Sequence, residues 1–383
     1  MKRFGISFSV GLILCWASAS YARASGEHVV FINPGKHGEV FWELVSETMT
    51  AAAAQLDIQL EILWSERNRT TMQNLGVDVT ERAEKPDFMI IVNEENAAAP
   101  ILQAADRAGI PTFFLLNPIS NADIATMSRN EQTITHMVGS LQPDIFGAGQ
   151  RMAERLIQAA RANKRESQDG KLHILALAGD QLTPTSVART NGFLSYVKDR
   201  SDVVVDRLLY SNWNRTDATT LSYRYLEWAG SQGITPAGIW AANDPIAFGA
   251  IDAIEQMGLS AGKDIPVVGL NWSGEAIDLI KKDKLLLSEG GHFFGGAWSM
   301  VILRDLFSGC HFDGEGKPGK INIHFPLSGI DKSANRQLIS ILSDKSFSRI
   351  QFSTFLSHGR NCGTYDFSAA ALVRAVPPIA GRP

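Results

Sequence analysis

The sequence predicts an α/β protein made of two Rossmann-like lobes, and three observations lead to this fold class. Short runs rich in Val, Ile, Leu and Phe alternate with amphipathic stretches, which is typical of parallel βαβ units. The alternation breaks once, between Pro118 and Asp144, and then restarts. The chain has 383 residues, more than the roughly 100–200 that one domain usually takes, so we expect two domains.

The chain begins with a predicted secretory signal peptide, residues 1–24. Met1-Lys2-Arg3 is basic, an apolar stretch follows from Ile6 to Trp16, and small residues lead to Ala24. The apolar stretch is shorter than the ~20 residues of a membrane span. We therefore predict cleavage near Ala24, export and a periplasmic location. A lipoprotein attached at Cys15 is a weaker alternative, because the residue before that cysteine is large.

The mature chain is predicted to be acidic. The full sequence has 36 Lys and Arg against 40 Asp and Glu. Residues 1–24 contain three of the basic residues and none of the acidic ones, so 33 against 40 remain, a net charge near −7. An acidic surface without a basic cluster argues against a nucleic-acid partner. No later segment is apolar enough to span a bilayer, so we expect a soluble protein, and a monomer.

The clearest predicted strands are continuous apolar runs, as expected for strands that are buried on both faces. They are His28–Asn33, Ile58–Leu63, Asp87–Val92, Pro111–Leu116, Leu172–Leu177, Val203–Leu209, Gly238–Ala242 and Pro266–Leu270, with a ninth run at Leu285–Leu287. The amphipathic helices between them are Phe41–Gln55, Ala97–Ala108, Ile145–Ala162, Ser186–Lys198, Ala218–Gly230 and Ile246–Met257. The chain beyond Gly309 is rich in loops.

Two cysteines, Cys310 and Cys362, remain after the signal peptide is removed. An even pair in an oxidising compartment predicts a disulfide. A bridge that closes a loop of this length would stabilise the fold by ~4 kcal/mol in the chain-entropy model. Two buried free thiols are the alternative, and neither case is a metal site.

Polar or aromatic residues follow nearly every predicted strand. In open α/β sheets, ligands bind beyond the carboxyl ends of the strands. Amides, carboxylates and an arginine can bond neighbouring hydroxyl groups, and flat rings can cover the C–H faces of a sugar. The sequence therefore predicts a site for a sugar or another polyol. The candidate ligand-binding residues are His37, Glu39, Trp42, Asn93, Asn117, Arg189, Trp213, Asn243, Asp244, Asn271, Trp272 and His292.

Several of these candidates also have a purely structural interpretation. Asp244 before Pro245 fits a helix N-cap followed by Pro at the first helical position, which would explain the pair without a ligand. Asn93 fits a turn residue that bonds its own backbone. Trp42 at a helix entry could pack into the core, and Arg189 on a helix could be a solvated charge. The candidates therefore predict a ligand-binding site as a set, and no single one of them predicts it alone.

The sequence favours binding over catalysis. The motifs H-E-x-x-H and G-x-x-x-x-G-K-[ST] are absent. Glu94, Glu95, Asp180 and Asp244 could supply a glycosidase pair, whose two carboxyl groups lie about 5–10 Å apart, so a secreted carbohydrate-active enzyme is an alternative. A site built mainly from amides and aromatic rings suits holding better than cleaving. We expect no catalytic residue, no metal and no cofactor.

Two segments resemble type I periplasmic binding proteins. Residues 241–250 read A-A-N-D-P-I-A-F-G-A and precede V-V-G-L-N-W at 267–272, which is similar to the family's N-D-x-x-A-x-G-A…V-x-G pattern. Residues 186–193 resemble the family's helix with a sugar-binding arginine, here Arg189. The resemblance runs from about residue 28 to 305. Transcription factors of the lactose-repressor type share this core, but a signal peptide stands here in place of their DNA-binding headpiece.

Within the family, residues 33–42 look most like the LuxP-like branch of sugar-binding relatives. The resemblance implies ligand contacts at His37, Glu39 and Trp42. It also implies contacts at or beside Asn117, Arg189, Asn243, Asp244 and Trp272. The branch's second arginine has no counterpart, because the sequence there reads E-G-G-H at 289–292. The loss of that cation and the gain of Glu39 favour a neutral or cationic polyol over an anion.

The resemblance also implies the arrangement of the lobes and the role of the protein. The first lobe would hold residues 25–120 plus about 292–328, and the second about 140–290 plus about 329–383. Three crossovers are expected near 118–142, 271–292 and 325–332. A ligand would favour the closed state of the two lobes. The closed protein would dock on an inner-membrane ABC permease, or, alternatively, signal to a membrane histidine kinase.

Overall fold

The computed structural model describes residues 26–129, 133–312, 321–357, 361–362 and 364–377. The predicted signal peptide lies outside these residues. Two six-stranded sheets, each flanked by helices, form the described chain. This arrangement confirms the predicted α/β class with two lobes. No helix of the described residues is long and apolar enough to cross a membrane.

The first sheet is entirely parallel. Its strands are Glu27–Asn33 (β1), Ile58–Trp64 (β2), Phe88–Ile91 (β3), Thr112–Leu115 (β4), Met137–Pro143 (β5) and Ile321–Phe325 (β12). They lie in the order β12-β5-β4-β3-β1-β2. The central strands β3 and β4 are apolar and almost fully buried, as expected for strands that are covered by helices on both faces.

The second sheet is parallel except at one edge. Its strands are Leu172–Ala178 (β6), Val203–Tyr210 (β7), Pro236–Ala241 (β8), Val267–Leu270 (β9), Leu287–Gly290 (β10) and Ser328–Ile330 (β13). They lie in the order β13-β10-β9-β8-β6-β7, with β13 antiparallel to β10. Two short strands, His311–Phe312 (β11) and Asn361–Cys362 (β14), form a separate parallel pair.

Twelve α-helices are found in the described residues. They are Val40–Gln55 (α1), Arg69–Glu81 (α2), Ala98–Arg107 (α3), Asn121–Arg129 (α4), Ile145–Ala162 (α5), Pro184–Val197 (α6), Arg215–Ser231 (α7), Asp244–Gln256 (α8), Gly274–Lys281 (α9), Gly295–Phe307 (α10), Arg336–Ser343 (α11) and Ala369–Arg374 (α12). Many begin at a side chain that accepts a backbone N–H of the first turn. Such caps are Asn68, Asp144, Asn214, Asn243 and Ser273.

The chain passes between the two sheets three times. It crosses at Asp144 after β5, at Gly291 after β10, and at Leu327 between β12 and β13. The second and third crossovers lie in the expected ranges. The first crossover comes later in the chain than its expected range, because β5 belongs to the first sheet and extends it to Pro143. The first lobe therefore runs beyond residue 120, where the sequence predicts its end.

The last described segment, residues 347–376, packs beside the first sheet. The side chain of Gln55 in α1 donates to two carbonyl groups of this segment, at 3.1 and 2.8 Å. The rings of Trp298 in α10 and Phe367 stack at 4.6 Å. Helix α11, just before this segment, contacts the second lobe through α9. The sequence predicts that residues 329–383 belong to the second lobe. The contacts instead join the described residues after 347 to helices α1 and α10.

The pairing of β11 with β14 brings the chain near both remaining cysteines together. Cys310 directly precedes β11, and the backbone of Cys362 lies opposite that of Phe312. The side chain of Cys362 lies outside the described residues. The disulfide stays a prediction, which mass spectrometry of unreduced peptides would test.

Candidate ligand-binding site

A cleft of about 350 Å³ lies between the carboxyl ends of the strands of both sheets. Eight of the predicted residues line it: Glu39, Trp42, Asn117, Arg189, Trp213, Asn243, Asn271 and His292. The two lobes each contribute four or more wall residues. The cleft is therefore where the strand-end rule places a ligand in this fold.

Four of the predicted residues lie outside the cleft lining. His37 is exposed and its ring bonds Glu66 at 2.5 Å. Asn93 is buried and accepts the N–H of Ala98 at the start of α3. Asp244 and Trp272 are buried behind the wall. These placements support the structural interpretation of Asn93 and do not support direct ligand contact by any of the four. The predicted cap at Asp244 is wrong, because Asn243 caps α8 by accepting the N–H of Ile246.

Two tryptophans form flat walls of the cleft. Each ring packs against a glycine that comes just after the first strand of its sheet along the chain, β1 or β6. A Cβ added to Gly35, after β1, would lie 2.4 Å from the Trp42 ring. A Cβ added to Gly179, after β6, would lie 2.3 Å from the Trp213 ring. The rings can take these positions only because glycine leaves the space open. The indole N–H of Trp213 also donates to Asp180 at 2.5 Å.

Arg189 is the buried cation of the second lobe. Its side chain projects from α6, is only 2% exposed, and donates to the carbonyl oxygen of Ala242. Its guanidinium carbon lies 5.7 Å from the centre of the Trp213 ring. Burial lowers the pKa of Arg189 to about 9, and the nearby Asp244 carboxylate opposes this shift, so the guanidinium stays charged at neutral pH.

Three buried polar atoms of the cleft wall have no hydrogen-bond partner among the described residues. They are Nε1 of Trp42, Nε of Arg189 and Nδ1 of His292. Burial, and next the charge of Arg189, hold the pKa of His292 well below its ordinary value, so its ring is neutral. The ring stacks on Phe41 at 4.5 Å. Each of these atoms is almost fully shielded from solvent, so its missing hydrogen bond is a cost to the fold.

An ion cluster of the first lobe forms the opposite wall. Arg67, just after β2, donates to both carboxylate oxygens of Glu39, with a distance of 2.8 Å from its Nε to Oε2. Its Nη1 donates to Oε1 of Glu94 at 2.6 Å. Burial raises the pKa of Glu94, and Arg67 opposes this shift. The carboxylates retain lone pairs that can accept hydroxyl hydrogens.

One hydrogen bond joins the two lobes directly across the cleft. The hydroxyl of Thr185, in α6, donates to the side-chain oxygen of Asn117 at the end of β4. The amide of Asn117 in turn faces Glu94 at 3.4 Å. The lobes therefore touch in this structure, which identifies a closed arrangement.

Asp244 supports the second-lobe wall from behind. Its carboxylate accepts the N–H and the hydroxyl of Ser273, at 3.0 and 2.8 Å, and the hydroxyl of Ser288 at 2.7 Å. Burial raises the pKa of Asp244 to about 6, although these hydrogen bonds oppose the shift. Ser273 lines the cleft, so Asp244 fixes the wall that follows β9.

Sequence reasoning missed several cleft residues. The structure adds Val40, Phe41, Arg67, Glu94, Leu116, Pro143, Ile145, Thr183, Thr185, Pro245, Phe248, Ser273, Gly274 and Glu275 to the lining. Arg67 could have been found, because the strand-end rule applies equally to β2. Thr185 could not, because it lies within the first turn of α6 and carries no signal of its own.

In the described part of the chain, no group of three or more His, Cys, Asp and Glu residues could hold a metal ion. The cleft wall consists of aromatic rings, amides, hydroxyl groups and paired charges, together with apolar side chains. Such a wall can bond and cover a small polar molecule.

Comparison with known proteins agrees with this geometry. A periplasmic sugar-binding protein from Pseudomonas fluorescens matches with a TM-score of 0.78 and 27% identity, over 91% of this chain and 100% of that chain. The xylitol-binding protein of Mycolicibacterium smegmatis is 22% identical over 294 residues, 71% of this chain and 69% of the relative. The galactofuranose-binding protein of Escherichia coli is 25% identical over 166 residues, 43% of this chain and 46% of the relative.

The family described as periplasmic binding protein domain matches residues 29–287, which contain both first strands and most of the cleft wall. The chain therefore belongs to the type I periplasmic binding proteins.

Proposed function

We propose that the protein captures a small neutral sugar or polyol between its lobes in the periplasm and presents it to an ABC importer. The observation that carries this proposal is the cleft between the lobes, where the rings of Trp42 and Trp213 stand beside the polar side chain of Asn117 and other polar groups of both lobes. The cleft volume of about 350 Å³ suits a small ligand.

The charges of the wall favour a neutral ligand. Arg67 is matched by two carboxylates, Glu39 and Glu94. Arg189 has the Asp244 carboxylate behind it. An anion would therefore find no unopposed counter-charge, whereas hydroxyl groups can bond both the donors and the acceptors of the wall.

The named ligands of the relatives support the same chemical class. Xylitol is a linear polyol and galactofuranose is a sugar, and both are small and rich in hydroxyl groups. The LuxP-like branch stays a prediction of the sequence, as does the monomeric state.

We propose that the site performs no chemistry on its ligand. Glu94, Asp180 and Asp244 each accept hydrogen bonds from neighbouring protein groups, so none is poised as a free acid or base. Residues 258–262 read G-L-S-A-G and match the nucleophile motif G-x-S-x-G, but they follow α8 and precede β9. That motif acts only in a turn from strand to helix.

The ligand can be identified by denaturing the purified protein and analysing the released small molecules by mass spectrometry. We expect an unmodified neutral sugar or alditol, and the same compound should raise the melting temperature when added back. Recovery of a cleaved product at catalytic turnover would refute binding without catalysis. Failure of every compound in a panel of neutral pentoses, hexoses and alditols to stabilise the protein would refute the ligand class.

Delivery and signalling share the binding step and differ in the membrane partner. Uptake of the labelled ligand by cells that contain or lack this protein tests delivery. Normal uptake in the deletion strain, with a lost transcriptional response to the ligand, would instead favour the histidine kinase alternative.

A further inference from the structure

One guanidinium group touches the chain at the first and third crossovers and just before the second. Arg151, in the second turn of α5, donates from Nε and Nη2 to the carboxylate of Glu289, at 3.0 and 3.4 Å. Its Nη1 donates to Asp144 at 3.1 Å, and its Nη2 also donates to the carbonyl oxygen of Leu327 at 3.3 Å. Asp144 and Leu327 lie in the first and third crossovers, and Glu289 lies two residues before the second.

The partners of this guanidinium differ in burial. The Glu289 side chain is 3% exposed, whereas the Asp144 side chain is 47% exposed. Arg151 and Glu289 both belong to the second lobe, so their ion pair can persist when the lobes move. The contacts with Asp144 and Leu327 span crossover backbone, whose torsions must change in a hinge motion. Glu289 therefore holds Arg151 on the second lobe, and the contacts with Asp144 and Leu327 depend on the arrangement of the hinge.

Glu289, the buried partner of Arg151, is connected to the cleft wall through its own backbone. The backbone oxygen of Glu289 accepts the N–H of Asn271, a wall residue, at 2.8 Å. The crossover that follows Glu289 leads directly to His292. The backbone of Asp144 also donates to Phe325 at 2.9 Å, which joins the first crossover to the strand before the third.

We propose that Arg151 is a positioning residue that holds the first and third crossovers in the closed arrangement and thereby sets how readily the cleft closes. The proposal rests on the proposed function, because closure matters through ligand binding. The contacts of Arg151 occur together with the inter-lobe bond between Thr185 and Asn117. Contacts that are specific to one state shift the equilibrium toward that state.

The sharpest test is Asp144→Asn. Replacement of Arg151 itself would leave Glu289 buried without its counter-charge and could unfold the protein. Asparagine instead preserves the cap of α5, where the side chain accepts the N–H of Gly147, and leaves the buried ion pair intact. It removes only the carboxylate that holds Arg151 to the first crossover. The matched control is Arg155→Gln. Arg155 lies on the same helix as Arg151, and the substitution removes its ion pair with Asp331, which follows β13.

Two measurements decide the proposal. Small-angle X-ray scattering of the ligand-free Asp144→Asn variant should give a larger radius of gyration than the wild type and the control. Xylitol, used as the probe, should bind the variant about threefold to tenfold more weakly through faster dissociation, as expected for a modest coupling between hinge and site. Melting temperatures should differ little, because the ion pair and the cap remain.

An unchanged radius of gyration in the ligand-free variant would overturn the proposal, as would an equal expansion in the Arg155→Gln control. If the wild type binds no sugar or polyol, the proposed function fails, but the scattering measurement still tests the hinge. The two failures are therefore distinguishable.

Discussion

The cleft wall contains donors that the protein leaves unbonded at a cost to its own stability. Nε1 of Trp42 is buried among apolar neighbours, against Phe31 and Phe41, without a partner in the described chain. A buried unsatisfied donor costs about 1–3 kcal/mol. The protein carries this cost in the described arrangement, because almost none of the surface of Nε1 is accessible from the cleft.

We expect Trp42→Phe to weaken ligand binding about threefold to tenfold, because the smaller ring would cover less apolar surface of the ligand, a loss of roughly 1 kcal/mol. The melting temperature of the ligand-free protein should stay the same or rise, since the unsatisfied donor is gone. Isothermal titration and differential scanning fluorimetry measure the two effects. Trp240→Phe is the matched control, because the Trp240 Nε1 is also buried and unpartnered but lies in β8, outside the cleft lining. Equal weakening in both variants would contradict the role of Trp42.

Gly179→Ala should displace the Trp213 ring. The new Cβ would lie 2.3 Å from the ring, so the tryptophan must move and its bond to Asp180 must break. We expect at least about tenfold weaker binding and roughly 1–3 kcal/mol lower stability, as in overpacked sites. Gly230→Ala in α7 is the control, since no atom lies within 4 Å of its new Cβ. Intact affinity in Gly179→Ala would show that Trp213 is not a wall of the site.

At the scale of single residues, the sequence predicts which positions reach the cleft better than it predicts what each side chain does there. Asn243 and Asp244 are neighbours, yet Asn243 lines the cleft and Asp244 turns inward to Ser273 and Ser288. The difference depends on serines that lie far along the chain. Local sequence contains no information about such contacts, so their outcome could not be predicted.

At the scale of elements, the second sheet is tied to α7 by a buried polar cluster. His173 in β6 bonds Asp206 of β7 at 2.7 Å, and the hydroxyl of Tyr225 in α7 donates to the same carboxylate at 2.8 Å. Asp169 bonds the other ring nitrogen of His173 at 3.2 Å. Burial lowers the pKa of His173, but the bonds to Asp206 and Asp169 outweigh it, so the pKa is raised from 6.5.

The raised pKa of His173 predicts a pH-dependent stability. A histidine whose pKa is higher in the folded state stabilises the fold fully below its unfolded pKa, about 6.5. This contribution is lost as the pH rises through the folded pKa. We expect the free energy of unfolding to fall more steeply between pH 6.5 and 9 in the wild type than in His173→Gln, as measured by urea denaturation. Parallel pH profiles for the two proteins would contradict this linkage.

The elements that the sequence predicts well are those with a clear period or a continuous apolar run. Helix α5 begins and ends as predicted, because its apolar stripe is regular and Asp144 caps it. Strand β5 was not predicted, because its sequence M-V-G-S-L-Q-P is half polar. Gly139 in this strand lies so close to Ile321 that no side chain fits. Pairing with β12, 182 residues later, makes β5 a strand, and no local signal reveals that contact.

At the scale of the whole molecule, the lobes are joined by apolar packing as well as by crossover backbone. The Trp272 ring, after β9, meets Phe293 of the second crossover at 6.5 Å, and its N–H donates to Ser328 in β13 at 2.8 Å. Phe293 packs in turn on Phe347 at 6.0 Å, in the segment that returns to the first lobe. The buried cluster that contains these rings includes residues of both sheets.

This shared core predicts that the two lobes unfold together. Because the cluster continues through the crossovers, melting of one lobe would expose apolar surface of the other, which penalises a half-folded state. We expect one calorimetric transition with a van't Hoff enthalpy equal to the calorimetric enthalpy, both with and without ligand. Ligand at about 100 times its Kd should add roughly 2.7 kcal/mol to the unfolding free energy of the entire transition, because both lobes line the site. Two resolved transitions, of which ligand shifts only one, would mean that the lobes are separate folding units and that the ligand's bonds are concentrated in a single wall.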